Sequence, residues 1–306
     1  MEWAFGTMGL QDKAKYLVTL YLEDIADFIT GVIDPHFGFS RYAERLGRSA
    51  SSFDELYEEL SKSSAYIDRL MFSVLQEKLE SCNPDWVMLS VPFPGNLYSA
   101  LRCGEFIKGN YPDIRVEMGG GFASTELRQL SDARVFEYVD FITLDDGETP
   151  LRQLLTGDEA NYVRTYLCRD GEVRYLNNPE IPDVPMRERG VPDYAGLPLD
   201  KYLSVIEIAN PMHALWSNGR WNKLILAHGC YWGKCAFCDG SLDYIGRYEP
   251  LTAVEIADRM EEMIRRTGER GFHFVDEAAP PMLLKELALE ILKRRMSVVW
   301  WTNVRF

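Results

Sequence analysis

The chain has 306 residues, of which 46% are hydrophobic and 26% charged, a balance that is typical of a globular protein and excludes a disordered one. Its formal net charge of −14 argues against a protein that binds nucleic acid or an anionic membrane surface by electrostatic attraction. The sequence has no apolar run of about 18 residues and no basic region at its start. We therefore expect a cytoplasmic protein with no membrane span and no signal peptide.

The first part of the chain predicts an α/β domain. Apolar residues at helical spacing predict helices over 10–33 and 65–80, and those of the second helix form a stripe that we expect to be buried. Short apolar segments then alternate with helical ones, and this alternation predicts a parallel sheet covered by helices. The predicted strands are residues 86–91, 114–118 and 139–144, and the predicted helices between and after them are residues 97–109 and 149–155. Ligands of such domains bind at the carboxyl ends of the strands.

A change of composition marks the end of this domain. Residues 161–176 predict a β-hairpin that turns at Asp170 and Gly171. Prolines and glycines are then frequent between residues 178 and 200, which is typical of a linker. We therefore divide the chain into a helical lead-in with an α/β domain (1–155), a hairpin with a linker (156–221) and a C-terminal domain (222–306).

The C-terminal domain repeats the alternation of strands and helices. Thr252 and Glu255 form a capping box at the start of one helix, and Pro281 opens a second. The predicted strands are residues 223–228, 272–276 and 297–302. Three strand–helix steps are too few to close a barrel, so we expect an incomplete (β/α) barrel and a chain that is a fragment of a longer protein.

Three of the cysteines lie close together in the sequence HGCYWGKCAFCDG (228–240). Their spacing, C-x4-C-x2-C, allows Cys230, Cys235 and Cys238 to converge on one metal centre, because glycines let the loop fold back on itself. Thiolates are the ligands of iron–sulfur clusters, and three of them leave one iron of a four-iron cluster open to a small molecule. The alternatives are a structural zinc ion with His228 as its fourth ligand, and cysteines that are unrelated parts of the core.

This loop resembles the cluster motif of the radical S-adenosylmethionine enzymes. The usual motif of that family is C-x3-C-x2-C with an aromatic residue before the last cysteine. Phe237 occupies this aromatic position, and the first spacing here is one residue longer. The resemblance implies that Cys230, Cys235 and Cys238 bind a [4Fe–4S] cluster and that Phe237 lies near the adenine of S-adenosylmethionine.

The same resemblance implies a reaction. An electron donor such as flavodoxin or ferredoxin would reduce the cluster, and S-adenosylmethionine would be cleaved reductively to a 5′-deoxyadenosyl radical. That radical would abstract hydrogen from a small-molecule or peptide substrate. The family also has a partial (β/α) barrel whose first strand precedes the cysteine loop, in agreement with the predicted strand at 223–228.

Two acidic residues, Asp276 and Glu277, end the second strand of the C-terminal domain. The resemblance implies that later strand ends build the S-adenosylmethionine site, so both are candidates to bind its amino group or its ribose, or a cation of the substrate. The alternative is an acidic strand end that is exposed to water or caps the helix at Pro281. His273 lies on the same strand, where we expect a core histidine.

The N-terminal α/β block resembles the cobalamin-binding domain that precedes the radical module in many members of the family. The matching pieces are Ser90, the GGGFAS loop with Gly119, Gly120 and Gly121, and the segment 145–155. The resemblance implies a Rossmann-like sheet whose loops hold the nucleotide tail of cobalamin. It implies cobalamin-assisted methyl transfer or a ring rearrangement as the reaction, since relatives of the family carry out both. The other interpretations are a radical enzyme without cobalamin and a non-catalytic protein that binds an iron–sulfur cluster or zinc.

Overall fold

The computed structural model describes residues 10–39, 42–48, 52–199, 221–236 and 238–305. The chain divides into two compact units. One is Leu22–Asp183, and the other combines Val184–Phe306 with Met1–Tyr21. None of the described helices is both long enough and apolar enough to cross a membrane.

The unit Leu22–Asp183 is built on a five-stranded mixed sheet. Its strands are adjacent in chain order: β1 (Trp86–Ser90), β2 (Arg115–Gly119), β3 (Phe141–Thr143), β4 (Thr165–Arg169) and β5 (Glu172–Leu176). Strands β1, β2 and β3 are parallel, whereas β3, β4 and β5 pair antiparallel. The predicted α/β class and the three predicted parallel strands are thereby confirmed.

Helices precede and connect these strands. In chain order they are α1 (Leu10–Val32), α2 (Glu44–Arg48), α3 (Asp54–Leu60), α4 (Tyr66–Cys82), α5 (Pro94–Asn110), α6 (Gly121–Glu126) and α7 (Glu148–Thr156). Helix α5 begins with Pro94, whose fixed φ suits the first helical turn. It crosses from β1 to β2 and so returns the chain in the parallel direction.

The hairpin β4–β5 belongs to this sheet. From the sequence, we assign residues 156–221 to a separate hairpin with a linker. In the structure, β4 pairs with all three residues of β3, so the hairpin extends the sheet past β3. The turn lies at Asp170 and Gly171, as predicted, and both residues have positive φ. Pairing with β4 satisfies the backbone groups on that edge of β3. The unit therefore continues past the hairpin to Asp183.

The core of this unit includes helix α5 and the parallel strands. Leu101 and Ile107 of α5 are fully buried in one hydrophobic cluster with Val116, Met118 and Ile142 of the sheet. Helix α5 therefore packs against β2 and β3 through this cluster. Glu117 alternates with Val116 and Met118 along β2, so it lies on the opposite face, where it is also buried.

Helix α4 buries less of its apolar stripe than its spacing predicts. Leu79 is buried, but Leu70 and Val74 are 48% and 60% exposed, so the prediction of one buried stripe is wrong for these two residues. Helical periodicity identifies which residues share a face, but it does not identify an element that covers this face.

The other unit contains a smaller, parallel sheet. Its elements are β6 (Asn222–Leu224), β7 (Ala227–His228), α8 (Asp243–Gly246), β8 (Glu249–Pro250), α9 (Ala253–Thr267), β9 (Gly271–Phe274), α10 (Pro281–Lys293) and β10 (Val299–Thr302). The sheet has the order β10–β9–β6, with all pairs parallel, and the described strands do not close a barrel. Helix α9 begins with the predicted capping box of Thr252 and Glu255.

Helices α9 and α10 pack on one face of this sheet. Phe272 and Phe274 of β9 are buried in a cluster with Ile256 and Met260 of α9 and Leu287 of α10. Side chains alternate between the two faces of a strand, so the residue between the two phenylalanines lies on the other face.

The predicted strand over 223–228 is divided in the structure. Strand β6 is followed by β7, which leaves the parallel sheet and pairs antiparallel with β8. Between them, the carboxylate of Asp276 accepts hydrogen bonds from the backbone N–H groups of Leu226 and Ala227, at 2.8 and 3.1 Å. A side chain thus takes the place of a neighbouring strand, and periodicity alone carries no sign of this change of partner.

Candidate metal centre

The three clustered cysteines lie on the loop that follows β7. Gly229 begins this loop with a φ of 72°, and a Cβ atom at this position would overlap the carbonyl oxygen of Arg247. Gly233, between Cys230 and Cys235, has a φ of 57°. L-residues with a Cβ atom rarely adopt this conformation, so the two glycines permit the turns that bring the cysteines onto one short loop.

The three thiols are free and accessible to different degrees. Cys238 is exposed, whereas Cys230 and Cys235 are half-buried. The backbone N–H of Trp232 donates to Sγ of Cys230 at 3.4 Å, and the N–H of Cys238 donates to the carbonyl oxygen of Cys235 at 3.2 Å. Within the described ranges, no group of three or more His, Cys, Asp or Glu side chains is arranged to hold a metal ion. Phe237, the predicted neighbour of adenine, lies outside the described residues.

Two cations contact this loop. Nη1 of Arg305, which follows β10, donates a hydrogen bond to Sγ of Cys235 at 3.1 Å. The same guanidinium lies 4.4 Å from the centre of the Trp232 ring, and Nζ of Lys234 lies 5.3 Å from that centre. Arg305 and Cys235 are 70 residues apart in the chain, so no local spacing pattern could indicate their contact.

Asp276 fixes the backbone that leads into the loop. Its side chain is buried, and both carboxylate oxygens accept backbone hydrogen bonds, from Leu226 and Ala227. Burial raises the pKa of the Asp276 carboxyl, and the hydrogen bonds from the two N–H groups oppose this shift. Glu277, the second acidic residue of the predicted site, is exposed. The two adjacent carboxylates therefore lie in different environments, one internal and one open to water.

His228, the fourth ligand in the zinc alternative, is buried against Arg247. Nδ1 of the imidazole lies 3.4 Å from the carbonyl oxygen of Arg247, and Nε2 lies 3.4 Å from its Nη2. A zinc ligand must present a ring nitrogen to the metal. Since both nitrogens face Arg247, these contacts do not favour zinc bound by three cysteines and His228.

A row of side chains crosses the other face of the parallel sheet. Lys223, His273 and Trp301 occupy aligned positions on β6, β9 and β10. Nζ of Lys223 lies 3.0 Å from Nδ1 of His273, and the rings of His273 and Trp301 stack with their centroids 3.6 Å apart. His273 is half-buried and lies outside the core cluster, in contrast to the predicted core histidine. The period of two along β9 puts it on the face opposite Phe272.

The triple glycine of the other unit packs against the main chain that follows β1. Gly119 ends β2, Gly120 has a φ of 102° and Gly121 begins α6. A Cβ atom on Gly120 would lie 2.9 Å from the backbone nitrogen of Val91, and one on Gly121 would lie 3.0 Å from the carbonyl oxygen of Pro92. This close approach accounts for Gly120 and Gly121 by internal packing.

Ser90 and Gly119 lie at the same edge of the sheet. They are paired in register at the carboxyl ends of β1 and β2, and Ser90 is exposed. The structure therefore brings together the first two pieces of the predicted cobalamin site. The third piece begins at Asp145, whose carboxylate forms ion pairs with Arg128 and Arg164.

The sequence did not indicate that a carboxyl group beside this edge is buried. Glu117 of β2 is 2% exposed and accepts a hydrogen bond from Oγ1 of Thr143 at 2.7 Å. Burial raises the pKa of Glu117 to about 7, although the hydrogen bond from Thr143 opposes the shift. The only signal in the sequence is one acidic residue inside the apolar strand IRVEM (114–118). Such a residue is more often exposed than buried.

No protein-family model matches this chain, and no curated protein matches it significantly. Its function is therefore inferred from the cysteine loop and the residues that contact it.

Proposed function

We propose that this chain is a radical S-adenosylmethionine enzyme that binds a [4Fe–4S] cluster through Cys230, Cys235 and Cys238. The observation that supports this most strongly is the set of three free thiols on one loop, with the spacing C-x4-C-x2-C. The loop follows β7, beyond the carboxyl end of the parallel strand β6. Ligands of α/β proteins bind at such strand ends.

The donor set fits an iron–sulfur cluster in its chemistry. Thiolates are the usual protein ligands of these clusters, and three of them leave one iron for a small molecule. The thiols must lose their protons when metal binds, and metal binding is commonly coupled to the folding of the segment that supplies the ligands. When bound, the cluster supplies the electron for reductive cleavage of S-adenosylmethionine to a 5′-deoxyadenosyl radical.

The residues that precede the loop support this role by holding it in place. Asp276 restrains the main chain at Leu226 and Ala227, and the next turn requires glycine at position 229. Ligands that start from a restrained main chain lose less conformational freedom when they bind a metal. Asp276 therefore contributes to the proposed site through the main chain, and Glu277 remains a candidate to bind S-adenosylmethionine.

The architecture suggests two finer proposals. The sheet β10–β9–β6 would be the N-terminal part of a (β/α) radical S-adenosylmethionine barrel, and the unit Leu22–Asp183 would be a Rossmann-like, cobalamin-binding domain. Support for the second comes from three parallel strands and from Ser90 and Gly119 at one strand edge. A radical enzyme without cobalamin is the alternative, since internal packing already accounts for Gly120.

Anaerobic reconstitution of the full chain with iron and sulfide tests the main proposal. We expect about four iron atoms per chain, a brown protein, and release of 5′-deoxyadenosine from S-adenosylmethionine after reduction with dithionite. The variant C230S/C235S/C238S is expected to lose all three properties. The matched control, C82A/C103A/C168A, removes the same number of thiols elsewhere and is expected to keep them.

Two results would contradict the proposal. One zinc ion per chain with no iron uptake would favour the zinc-binding protein. Full iron uptake without 5′-deoxyadenosine would favour a non-catalytic iron–sulfur protein.

Cobalamin is tested separately, by incubating the full chain with hydroxocobalamin and measuring bound cobalt after gel filtration. Absence of bound cobalt would contradict the cobalamin-binding proposal and favour the alternative, a radical enzyme that does not use cobalamin.

A further inference from the structure

We propose that Arg305 is a positioning residue that holds the cysteine loop and raises the reduction potential of the cluster bound there. This inference rests on the proposed function, because it concerns the same loop. Its central observation is the hydrogen bond from Nη1 of Arg305 to Sγ of Cys235, at 3.1 Å.

The surroundings of Arg305 differ from those of an ordinary surface arginine. The chain has 47 acidic and 33 basic residues, so carboxylate partners are abundant. Within the described parts of the chain, however, Arg305 forms no ion pair with a carboxylate and instead contacts the Cys235 thiol and the Trp232 ring. A guanidinium directed at a thiol is well placed to stabilise negative charge on sulfur.

Arg305 contacts a second residue of the loop besides Cys235. Its guanidinium lies over the Trp232 ring at 4.4 Å, within the range of a favourable cation–π contact. The backbone N–H of Trp232 in turn donates to Sγ of Cys230. Arg305 therefore contacts Cys235 directly and Cys230 through one intervening residue. A planar guanidinium can stack and donate a hydrogen bond at the same time, which a lysine ammonium does less well.

The sign of the effect on the potential follows from charge. A [4Fe–4S] cluster takes up one electron from a low-potential donor when it passes from the 2+ to the 1+ state, and no bond to the protein forms or breaks. A nearby positive charge, and a hydrogen bond to a ligating sulfur, both favour the more negative state. Arg305 should therefore raise the midpoint potential, so that a weaker reductant suffices.

The test is a redox titration of the reconstituted full chain, with R305Q, R305K and the control R265Q. Arg265 lies on α9 in the same unit, is 70% exposed and pairs with Glu262, so R265Q removes an equal charge away from the loop. We expect the midpoint of R305Q to shift to a more negative potential, that of R305K to lie between R305Q and wild type, and that of R265Q to match wild type. All four proteins should bind about four iron atoms.

Different results would separate this inference from the proposed function. Equal midpoints for R305Q and wild type, at equal iron content, would overturn the role of Arg305 and leave the proposed function intact. Failure of the wild type to bind iron would overturn both. If R305Q alone lost iron while R305K kept it, this would support the requirement for a cation at the loop. The midpoint potential of R305K would then be compared with that of the wild type. Far-UV circular dichroism of each variant confirms that the fold is retained.

Discussion

At the scale of single residues, Glu117 carries a carboxyl group in an unusual, buried environment. The residue is 2% exposed, on a strand with a parallel neighbour on each side in the mixed sheet, and one hydroxyl donor, Oγ1 of Thr143, contacts its carboxyl group. Removing a carboxylate from water without a cation nearby favours the protonated form. This is why burial is the dominant cause of the raised pKa of Glu117, which reaches about 7.

This carboxyl group predicts a dependence of stability on pH. The pKa of Glu117 rises from its ordinary value of 4.5 to about 7, so between these values the folded chain binds more protons than the unfolded chain. The contribution of Glu117 is therefore fully present below pH 4.5 and is lost as the pH rises through about 7. Relative to E117Q, the wild type should lose about 3 kcal/mol of unfolding free energy across this window.

Urea denaturation of wild type and E117Q, followed by far-UV circular dichroism at several pH values, measures this difference. Glutamine keeps the shape of the side chain and an oxygen that can accept the hydrogen bond from Thr143, so it removes mainly the titration. Other carboxyl groups titrate equally in both proteins and cancel. Parallel stability curves for the two proteins would show that Glu117 does not bind a proton in this range.

At the scale of secondary structure elements, Asp276 links three segments. It follows β9, and its carboxylate binds the main chain between β6 and β7, so it fixes the point where the chain leaves the parallel sheet. Leu226 and Ala227 are buried, and their N–H groups would otherwise lack these acceptors. An unsatisfied buried donor costs about 1–3 kcal/mol.

Replacement of Asp276 by asparagine therefore predicts a loss of stability. Asparagine retains one acceptor oxygen and turns an NH₂ group toward one of the two N–H donors, so D276N should lose about 1–3 kcal/mol of unfolding free energy. The control E277Q removes the same charge from the exposed neighbour and is expected to change little. Chemical denaturation with tryptophan fluorescence measures both. Equal midpoints for D276N and E277Q would contradict the role of Asp276 in this link.

Local patterns in the sequence predicted most elements, because each of these depends on neighbours in the chain. The capping box at Thr252 and Glu255 is an example, and the structure confirms it. Contacts between distant segments were not predictable in this way. The division of 223–228 depends on Asp276, about 50 residues later. The hydrogen bond from Arg305 to Cys235 spans 70 residues.

The same distinction applies to the candidate site. The spacing of Cys230, Cys235 and Cys238 is local, so the sequence could identify all three as candidate ligands. The cation that contacts Cys235 is Arg305, which follows β10. Periodicity predicts the strand, but it does not predict which residues near its end contact the loop. In the other unit, the glycine run predicted a ligand loop, and the structure adds that the backbone of Val91 leaves no room for a Cβ atom at Gly120.

At the scale of the whole molecule, the tryptophans report almost entirely on one unit. Trp86 is the only one of the seven tryptophans within Leu22–Asp183, and the other six belong to the unit that contains Cys230, Cys235 and Cys238. Trp86 stacks on Phe141 with the ring centroids 5.6 Å apart, so phenylalanine at this position can retain an aromatic contact. In W86F, tryptophan fluorescence would follow only the unfolding of the unit that contains Cys230, Cys235 and Cys238.

This variant allows the effect of cluster binding on folding to be measured. A group that binds only the folded chain stabilises it by mass action, by about 2.7 kcal/mol when it is present at 100 times its dissociation constant. Anaerobically reconstituted W86F should therefore show a fluorescence transition at a higher temperature than the same protein without iron. W86F combined with C230S/C235S/C238S lacks the proposed ligands, so iron and sulfide should leave its transition unchanged. An equal rise in both proteins would mean that iron acts at other residues, and no rise in either would mean that the cysteine loop does not bind a cluster preferentially in the folded state.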